Sequence, residues 1–422
     1  MSLARDDVSM NYSIPASFAR PARARRGLGL QLLAAAFFTV IHVQAADTSV
    51  EARLEAMEAQ IKSLQSENQQ LRRELGLDGK AGLTFAKPAG KEPVLTINGL
   101  VQAQAEFGDK GDSRFGTAAD RFFLRRVRLG AAGRFLEDFD FKVEGEFANS
   151  LTGGTTAASA VLTDGFLNWN RFDWANVRIG QFKTPYGYEF LASDPKLFTP
   201  ERSLGTDRLT LNRQIGVQVA GDVFDKRLSY AGGLFNGTGT NVSANDNDSF
   251  LYVGRVSGIP WQGRLLGQAA RWSVGADGFT SVDNGVSVAG DFGLTGKTFS
   301  GQRKGVGLDT QFSLGGLDLW AEYLSVQFNP NDTLPARRFT SDAWYLQAAY
   351  FILPKTVQGV VRYETFDPNE KLAANETDTW TVGVNWFLKG DDLKLQLDYL
   401  FTDPAASADE QGKLILRSQV IF

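Results

Sequence analysis

The 422-residue sequence contains no cysteine and a single histidine, His42. Cysteine–histidine and serine–histidine catalytic pairs, and zinc, haem or iron–sulfur sites of the ordinary kinds, are therefore largely excluded. We expect no enzymatic activity and no cofactor. Charge excess is small as well, because 44 Lys and Arg oppose 48 Asp and Glu for a net charge of −4. The overall charge gives no reason to expect a nucleic-acid partner.

Long apolar runs are also scarce, and the mean hydropathy is −0.20, which excludes a bundle of transmembrane helices. One apolar run, residues 27–46, follows a region with four arginines and ends in Ala45 and Ala46. A basic region, an apolar core and a small-residue end are typical of a secretory signal peptide, which we expect over residues 1–45. A retained membrane helix is the alternative, weakened because the run is barely long enough to span a bilayer.

Removal of the signal would change the chemistry available to the rest of the chain. His42 would be lost, so the mature protein would have neither histidine nor cysteine. The signal holds five basic and two acidic side chains, which leaves 39 basic and 46 acidic ones and a net charge of −7. A preference for anions would then have to come from where the basic groups lie. Met1 and Met10 both remain as candidate translation starts.

A heptad pattern follows the signal, within residues 46–76. Its positions are spaced alternately four and three residues apart, with Asn68 in the one polar place, and comprise Val50, Leu54, Met57, Ile61, Leu64, Asn68, Leu71 and Leu75. This spacing predicts a short coiled-coil helix that joins copies of the chain. A single amphipathic helix on the surface of the protein is the alternative. Residues 77–93, rich in Gly, Pro and Lys, are predicted to be a linker.

From Val94 to Phe422 apolar and polar residues alternate with a period of two. One strand near the end of the chain shows the pattern. Its apolar face comprises Leu393, Leu395, Leu397, Tyr399 and Phe401, and its polar face comprises Lys394, Gln396 and Asp398. The apolar faces carry no charge, as hydrocarbon contact requires, since a midplane Lys or Arg costs about 2–4 kcal/mol. Aromatic residues near strand ends suit interfacial girdles, namely Trp344, Tyr350, Trp380, Trp386 and Tyr399. The pattern predicts an all-β fold, a 16-stranded antiparallel transmembrane β-barrel over residues 94–422 with a wet interior lined by the polar faces.

The lengths of the connections support this barrel. Strands are predicted to begin near residues 94, 121, 138, 160, 174, 214, 227, 249, 268, 304, 316, 342, 356, 377, 392 and 412. Connections after even-numbered strands are brief, except that the fourth, near IPWQGRLLG, is predicted to be somewhat longer; those after odd-numbered strands are mostly long. An outer-membrane barrel is built with this parity, whereas a soluble β-sandwich or propeller has no reason to keep it. The terminal strand, KLILRSQVIF, resembles the insertion signal of such barrels.

One connection, between the fifth and sixth predicted strands, is abnormally long. It comprises about thirty residues with the sequence KTPYGYEFLASDPKLFTPERSLGTDRLTLNRQ, residues 183–214. Connections of this length are usually functional or disordered, and the aromatic and proline residues oppose disorder. We interpret the segment as a constriction loop that folds into the barrel.

The sequence resembles the phosphate-selective porins O and P of Gram-negative outer membranes. The resemblance rests on RFFLRRVRLGAAGRF (residues 121–135), on RIGQFKTPYGYEF (residues 178–190) and on the terminal strand. It covers the chain from about residue 94 onward. It implies a homotrimer in the outer membrane, surrounded by lipid, in which each subunit has its own pore and basic side chains lead phosphate or other small anions to a constriction.

Basic residues at the constriction are the candidate anion-binding groups. Arg126 and Arg128 alternate with apolar neighbours and so point into the interior, whereas Arg125 has the opposite parity and is expected near the rim or at a bulge. The candidates are Arg125, Arg126, Arg128, Lys183, Lys196, Arg202, Arg208 and Arg213. Guanidinium groups can bind phosphate oxygens bidentately, and several weak donors allow both entry and release. The alternative for each residue is an ion pair with an acid such as Glu144, Glu146 or Asp164.

Three functions are compatible with these features. An anion-preferring porin is favoured, with phosphate or polyphosphate as the expected solute. A general-diffusion or sugar porin without phosphate selectivity is the second. A structural barrel, in which the coiled coil tethers the cell envelope and conductance is incidental, is the third.

Deletion of residues 50–75 separates the porin from the tethering barrel. For a porin, we expect channel conductance in planar bilayers to survive the deletion, because the heptads contribute nothing to the pore. A tethering barrel would instead show weakened attachment of the envelope in cells that carry the deletion. Loss of conductance with unchanged attachment would contradict both.

Overall fold

The computed structural model describes residues 55, 57–66, 83–85, 94–115, 120–148, 160–294, 297–331, 338–404 and 409–422. The predicted signal peptide and Asn68 lie outside the described residues. Residues 57–66 are helical, and the heptad side chains Met57, Ile61 and Leu64 are all more than half exposed. A single chain leaves the pairing of this helix with others open, so the coiled coil stays a prediction. No helix among the described residues has the length and apolar character needed to cross a membrane.

Seventeen strands make up the sheet in the described part of the chain. They are β1 (Leu83–Phe85), β2 (Val94–Gly108), β3 (Arg121–Phe135), β4 (Phe139–Glu146), β5 (Val161–Phe172), β6 (Ala175–Lys183), β7 (Arg213–Val223), β8 (Leu228–Phe235), β9 (Leu251–Leu265), β10 (Gln268–Ser287), β11 (Thr298–Leu314), β12 (Leu317–Pro330), β13 (Phe339–Leu353), β14 (Val357–Asp367), β15 (Thr377–Lys389), β16 (Leu393–Asp403) and β17 (Gln411–Ile421). Each strand from β2 to β17 pairs antiparallel with the next, and β17 pairs with β2.

Pairing between β17 and β2 closes the barrel. The register runs from Lys413 opposite Gly108 to Ile421 opposite Leu100. Phe422 and Gly99 then exchange both backbone hydrogen bonds, at N–O distances of 2.8 and 3.1 Å. Closure leaves none of the strands β2 to β17 as an edge strand, which is the condition for a sheet to lie in a bilayer. The predicted barrel of sixteen antiparallel strands is therefore confirmed.

Two predicted details differ from the structure. The fourth short connection is not longer than the others, because β9 continues through Leu265 and the turn consists of Leu266 and Gly267, both with positive φ. Twist-matched two-residue turns of this kind suit a tight hairpin. The segment predicted as a linker contains the short strand β1, which pairs with residues 95–97 of β2 beyond the end of β17.

The barrel is apolar on its outer face, as the alternation predicts. The five girdle aromatics expose between 39% and 57% of their surface, whereas Lys394 and Asp398 on the opposite face of β16 are at most 1% exposed. A soluble domain would bury the aromatic set and expose the charged one. The arrangement is that of a barrel with lipid outside.

The interior, however, is not polar throughout. Inward-facing residues of β8 to β14 form an apolar core with side chains of the β6–β7 connection and with Phe292, comprising among others Tyr186, Leu204, Leu209, Phe235, Phe279, Phe299, Phe328, Phe339 and Phe366. The rings of Phe328 and Phe339 stack at 4.7 Å between centroids. This part of the inner wall therefore packs against the connection, and the predicted wet interior is limited to the rest of the wall.

The outer face supports a test of the bilayer contact. Val382 and Leu388 share the outer face of β15 and are 48% and 49% exposed, but Val382 lies mid-strand and Leu388 at its end. We expect Val382→Lys to lower the free energy of unfolding in lipid vesicles by about 2–4 kcal/mol, and Leu388→Lys by about 0–1 kcal/mol, because the cost depends on depth. Urea unfolding of the two variants measures this difference. Equal costs for both would place the membrane elsewhere.

Candidate functional site

The connection between β6 and β7, residues 184–212, lies inside the barrel and is called the inner loop below. It contains the short helices α1 (Tyr188–Leu191) and α2 (Leu204–Leu209) and a 3₁₀ turn at Asp194–Lys196. A buried irregular segment needs partners for its backbone N–H and C=O groups. The inward-facing side chains of the wall supply these partners.

Donors on one part of the wall bind carbonyl oxygens of the inner loop. Lys394 Nζ donates to the carbonyl oxygen of Pro195 at 2.6 Å, and Asn385 Nδ2 donates to that of Phe198 at 2.8 Å. Arg362 donates to the carbonyl oxygen of Glu201 at 3.0 Å. The polar inner faces of β14 to β16 are therefore occupied in holding the loop.

Acceptors on the neighbouring part of the wall bind N–H groups of the same loop. Glu322 on β12 accepts from the backbone N–H groups of Tyr188 and Glu189. Asp277 on β10 accepts from Gly187, whose φ is 85°, at 3.2 Å. The start of α1 is thereby fixed, since the first N–H groups of a helix have no partner within it.

A β-bulge turns two consecutive arginines towards the loop. Opposite β2, the register of β3 shifts between Arg126, which pairs with Gln102, and Leu124, which pairs with Ala103, so Arg125 is the extra residue. A bulge places two successive side chains where a regular strand would place one. Arg125 and Arg126 both point inward, as their loop partners show. Of the two positions predicted for Arg125, the rim and a bulge, the structure shows the bulge.

Asp194 forms ion pairs with three of the predicted anion-binding arginines. Its carboxylate lies 3.2 Å from Arg126, 2.5 Å from Arg128 and 2.5 Å from Arg202. Arg128 also pairs with Glu146 at 2.8 Å. These guanidinium groups are therefore held by carboxylates of the protein.

Glu201 forms the second ionic anchor of the inner loop. Arg125 binds both of its carboxylate oxygens, at 2.9 and 3.0 Å, and Arg417 of β17 binds Oε1. Arg417 also donates to the carbonyl oxygen of Pro200. Bidentate pairs of this kind combine charge with fixed geometry.

Both loop carboxylates remain ionised at low pH. Burial alone would raise the pKa of Asp194, but Arg126, Arg202 and Arg128 outweigh burial and hold that pKa well below its usual range. Burial likewise opposes ionisation of Glu201, and Arg125, Arg417 and Arg126 lower its pKa all the same. The anchors are therefore present whenever these groups are charged in the unfolded chain.

The remaining predicted residues occupy different surroundings. Lys183 donates to the carbonyl oxygens of Phe190 and Ala192 at 2.6 and 3.0 Å. Arg208 pairs with Asp207 and Asp291, and Arg213 pairs with Asp164 at 2.7 Å. Lys196 is exposed, and its ammonium group has no partner among the described residues. The alternative of pairing with an acid is thus realised for most of the predicted residues.

Open space remains beside the inner loop. Three cavities with volumes of about 390, 680 and 640 Å³ lie there, and they border one another because they share lining residues. Lys183 lines the first and third, Arg255 the first and second, and Lys196 the second and third. Solute can therefore be accommodated in this space, which the inner loop borders together with residues of β2 to β12, the β15–β16 turn and β17.

Several residues that line this space were missed in the sequence. Arg178 stacks on the ring of Phe166 at 4.4 Å, and its Nε has no hydrogen-bond partner among the described residues. Lys142 lies 2.7 Å from Asp164, and Arg255 pairs with Asp277 and Asp309. Arg178 lies between Val177 and Ile179, so its inward parity was readable, but nothing in the sequence separates it from other inward basic residues.

Known proteins share this architecture. The family model of the phosphate-selective porins O and P matches residues 96–419. No curated protein sequence matches the chain.

An anion-selective porin from Comamonas acidovorans has a TM-score of 0.57 and 14% identity, over 78% of this chain and 100% of that one. The trimer form of OmpT of Vibrio cholerae has a TM-score of 0.54 and 11% identity, over 79% and 100%. The outer membrane channel DcaP of Acinetobacter baumannii has a TM-score of 0.51 and 15% identity, over 81% and 100%.

A closed sixteen-stranded barrel with a loop packed inside it defines the protein as a porin. Since the family model matches more than half of the chain, the protein belongs to the phosphate-selective porin O and P family. Identities of 11–15% to the solved structures carry the fold and no further detail.

Asp194→Asn tests the role of the ionic anchor. We expect this variant to lose roughly 1–3 kcal/mol of stability, because buried guanidinium groups lose their carboxylate. Larger current fluctuations in single-channel recordings should accompany the loss, because the inner loop is less firmly held. Asp207→Asn, on the same loop but more exposed and paired with its neighbour Arg208, is the matched control and should change neither quantity.

The pH dependence of this loss has a definite sign. A carboxylate whose pKa is lowered on folding contributes its full stability above its unfolded pKa, about 3.9 for Asp. That contribution disappears only as the pH falls through the lower folded value. The stability difference between wild type and Asp194→Asn should therefore stay constant from pH 8 down to about pH 5. A difference that fades within this range would contradict the anchor.

Proposed function

We propose that this protein is a porin of the bacterial outer membrane that lets small anions, phosphate or polyphosphate among them, diffuse passively along the inner loop. The observation that carries the proposal is a division among the basic side chains of the interior. Ion pairs and hydrogen bonds join some of them to the inner loop. Others, Lys183 and Lys196 among them, border open space.

This division assigns two roles to the predicted basic residues. Arg125, Arg126 and Arg128 hold the inner loop through Asp194 and Glu201, and so determine the width of the passage. Arg202 pairs with Asp194 within the loop, and Arg208 joins the end of α2 to Asp291. These residues act on selectivity chiefly through the position of the loop, and Arg128 also lines the third cavity.

Direct contact falls to the basic groups beside the cavities. Lys196 is the strongest candidate for contact with solute, because its side chain is exposed and has no partner among the described residues. Lys183, Arg178 and Arg213 border the same space, the last beside Asp164. Several donors of moderate strength favour flux, because an anion that binds tightly at one site would leave slowly.

Further features of the proposal follow from the family and from its solved neighbours. The apolar outer face would contact outer-membrane lipid, and the short turns would face the periplasm. A homotrimer, with each subunit carrying its own pore, agrees with the trimer form described for the Vibrio cholerae neighbour. Anion preference agrees with the name of the Comamonas acidovorans neighbour. The signal peptide over residues 1–45 would direct export.

Reversal potentials in a KCl gradient test the anion preference. We expect wild type to prefer chloride and Lys196→Gln to lower the chloride-to-potassium permeability ratio about twofold, since a unit charge about 8 Å away in water shifts an ion's energy by roughly 0.5 kcal/mol. Lys355→Gln, the same change in the β13–β14 turn, is the control and should leave the ratio as it is.

Addition of phosphate and pyrophosphate to the same bilayers tests the solute. Block of the chloride current by either one would support a phosphate-handling pore. Cation preference in wild type, together with no block by phosphate, would contradict the proposal and favour a general-diffusion porin.

A further inference from the structure

One tryptophan lies on the wrong face of the barrel for a girdle. Trp320 on β12 pairs with Gln311 of β11 and Gln347 of β13. Gln347 is 1% exposed and shares the inner face with Glu322, which holds the inner loop. Trp320 therefore points into the barrel, whereas Trp344, Trp380 and Trp386 point outward and are 43–52% exposed. An inward tryptophan does not contribute to anchoring in lipid.

Two aromatic residues of the inner loop meet Trp320. Tyr188 lies edge-on to it with ring centroids 5.0 Å apart and an interplanar angle of 83°. Phe198 lies 4.4 Å away at 40°. Trp320 and Tyr188 also line the 680 Å³ cavity and are only partly buried. Aromatic surface is thus presented to the space that solute occupies.

Unpaired cations surround this aromatic surface. Lys196, Arg227 and Arg271 line the same cavity, and their side chains have no hydrogen-bond or ion-pair partner among the described residues. This contrasts with the arginines around Asp194 and Glu201, all of which are paired. Asp318 is the carboxylate that lines the cavity, so free positive charge exceeds free negative charge there.

The strand register sets the spacing between the aromatic and basic groups. Arg271 pairs with Ser313, and Ser313 pairs with Asp318, which precedes Trp320 by two residues. Arg271 and Trp320 consequently lie two strands and two residues apart on one inner face, a Cα separation of about 12 Å. The long side chain of Arg271 can reach across this separation towards a carboxylate on a ring that packs against Trp320.

We propose that this cavity is a binding site for aromatic carboxylates. The ring of the solute packs against Trp320 and Tyr188, and its carboxylates bind Arg271 and Lys196. Ring contacts favour a flat aromatic face over a puckered aliphatic ring of equal charge. Guanidinium groups bind carboxylates bidentately. This inference rests on the proposed function, because it assigns a class of solute to the anion passage.

Paired solutes of equal charge test the aromatic site. Terephthalate and trans-cyclohexane-1,4-dicarboxylate carry the same two carboxylates on an aromatic and an aliphatic ring. We expect terephthalate to half-block the chloride current of wild-type channels in planar bilayers at a concentration about fivefold to tenfold lower. Equal half-blocking concentrations for the two solutes would overturn the proposal.

Substitutions assign the preference to Trp320. Trp320→Leu should bring the two half-blocking concentrations together, whereas Trp320→Phe should keep them apart because a ring remains. Arg271→Gln should raise both concentrations by the same factor. Trp386→Leu, on the outer face, is the control and should change neither. A preference for terephthalate that survives in Trp320→Leu would place the aromatic contact elsewhere and overturn the assignment.

The KCl reversal potential distinguishes the two levels of inference. Anion preference without discrimination between the two dicarboxylates would remove the aromatic site and leave the anion-preferring porin standing. Cation preference together with no block by phosphate would remove the proposed function itself, whatever the two dicarboxylates do.

Discussion

Burial of an irregular backbone inside a barrel is the constraint on which the rest of this structure depends. The inner loop has few internal hydrogen bonds of its own, because α1 and α2 are short, and most of its residues are buried, so its N–H and C=O groups need partners from the wall. Wall donors such as Lys394 and Arg362 and wall acceptors such as Glu322 and Asp277 satisfy these groups. The polar inner face therefore serves mainly as a hydrogen-bonding partner for the inner loop. It lines the solute passage only where the loop does not cover it.

The ionic anchors satisfy buried charges in the same way that the wall satisfies buried backbone groups. Several arginines on the inner face of β3 and β17 would repel one another if they stood alone in a confined space. Asp194 and Glu201, carried in by the loop, neutralise them and are in turn held by them. The neighbouring arginines accordingly lower the pKa of both loop carboxylates. Positive charge without a partner among the described residues then remains on Lys196 and Arg271, which border the 680 Å³ cavity.

The apolar core inside the barrel has a complementary effect. Tyr186 is fully buried, and its hydroxyl donates to the carbonyl oxygen of Val306 at 3.1 Å, so the loop is fixed to β11 by packing and by hydrogen bonding together. Phenylalanines of β8 to β14 fill this part of the interior. Because apolar packing closes this part of the barrel, open space is left in the cavities that Lys183, Lys196 and Arg255 line.

The sequence by itself determined the barrel. A period of two with uncharged apolar faces, short turns after every second strand and an amphipathic terminal strand each follow from contact with lipid, which acts on every strand alike and therefore leaves a local, repeated pattern. The long connection at residues 183–214 and the bulge-or-rim position of Arg125 were readable for the same local reason. Only the tertiary structure decided which basic residues are neutralised, because Asp194 meets Arg126 and Arg128 across 66 or more residues of chain and no periodicity records that meeting. The same is true of Trp320, whose inward face is set by the register of β12 and whose aromatic neighbours arrive from a loop that the strand pattern does not position.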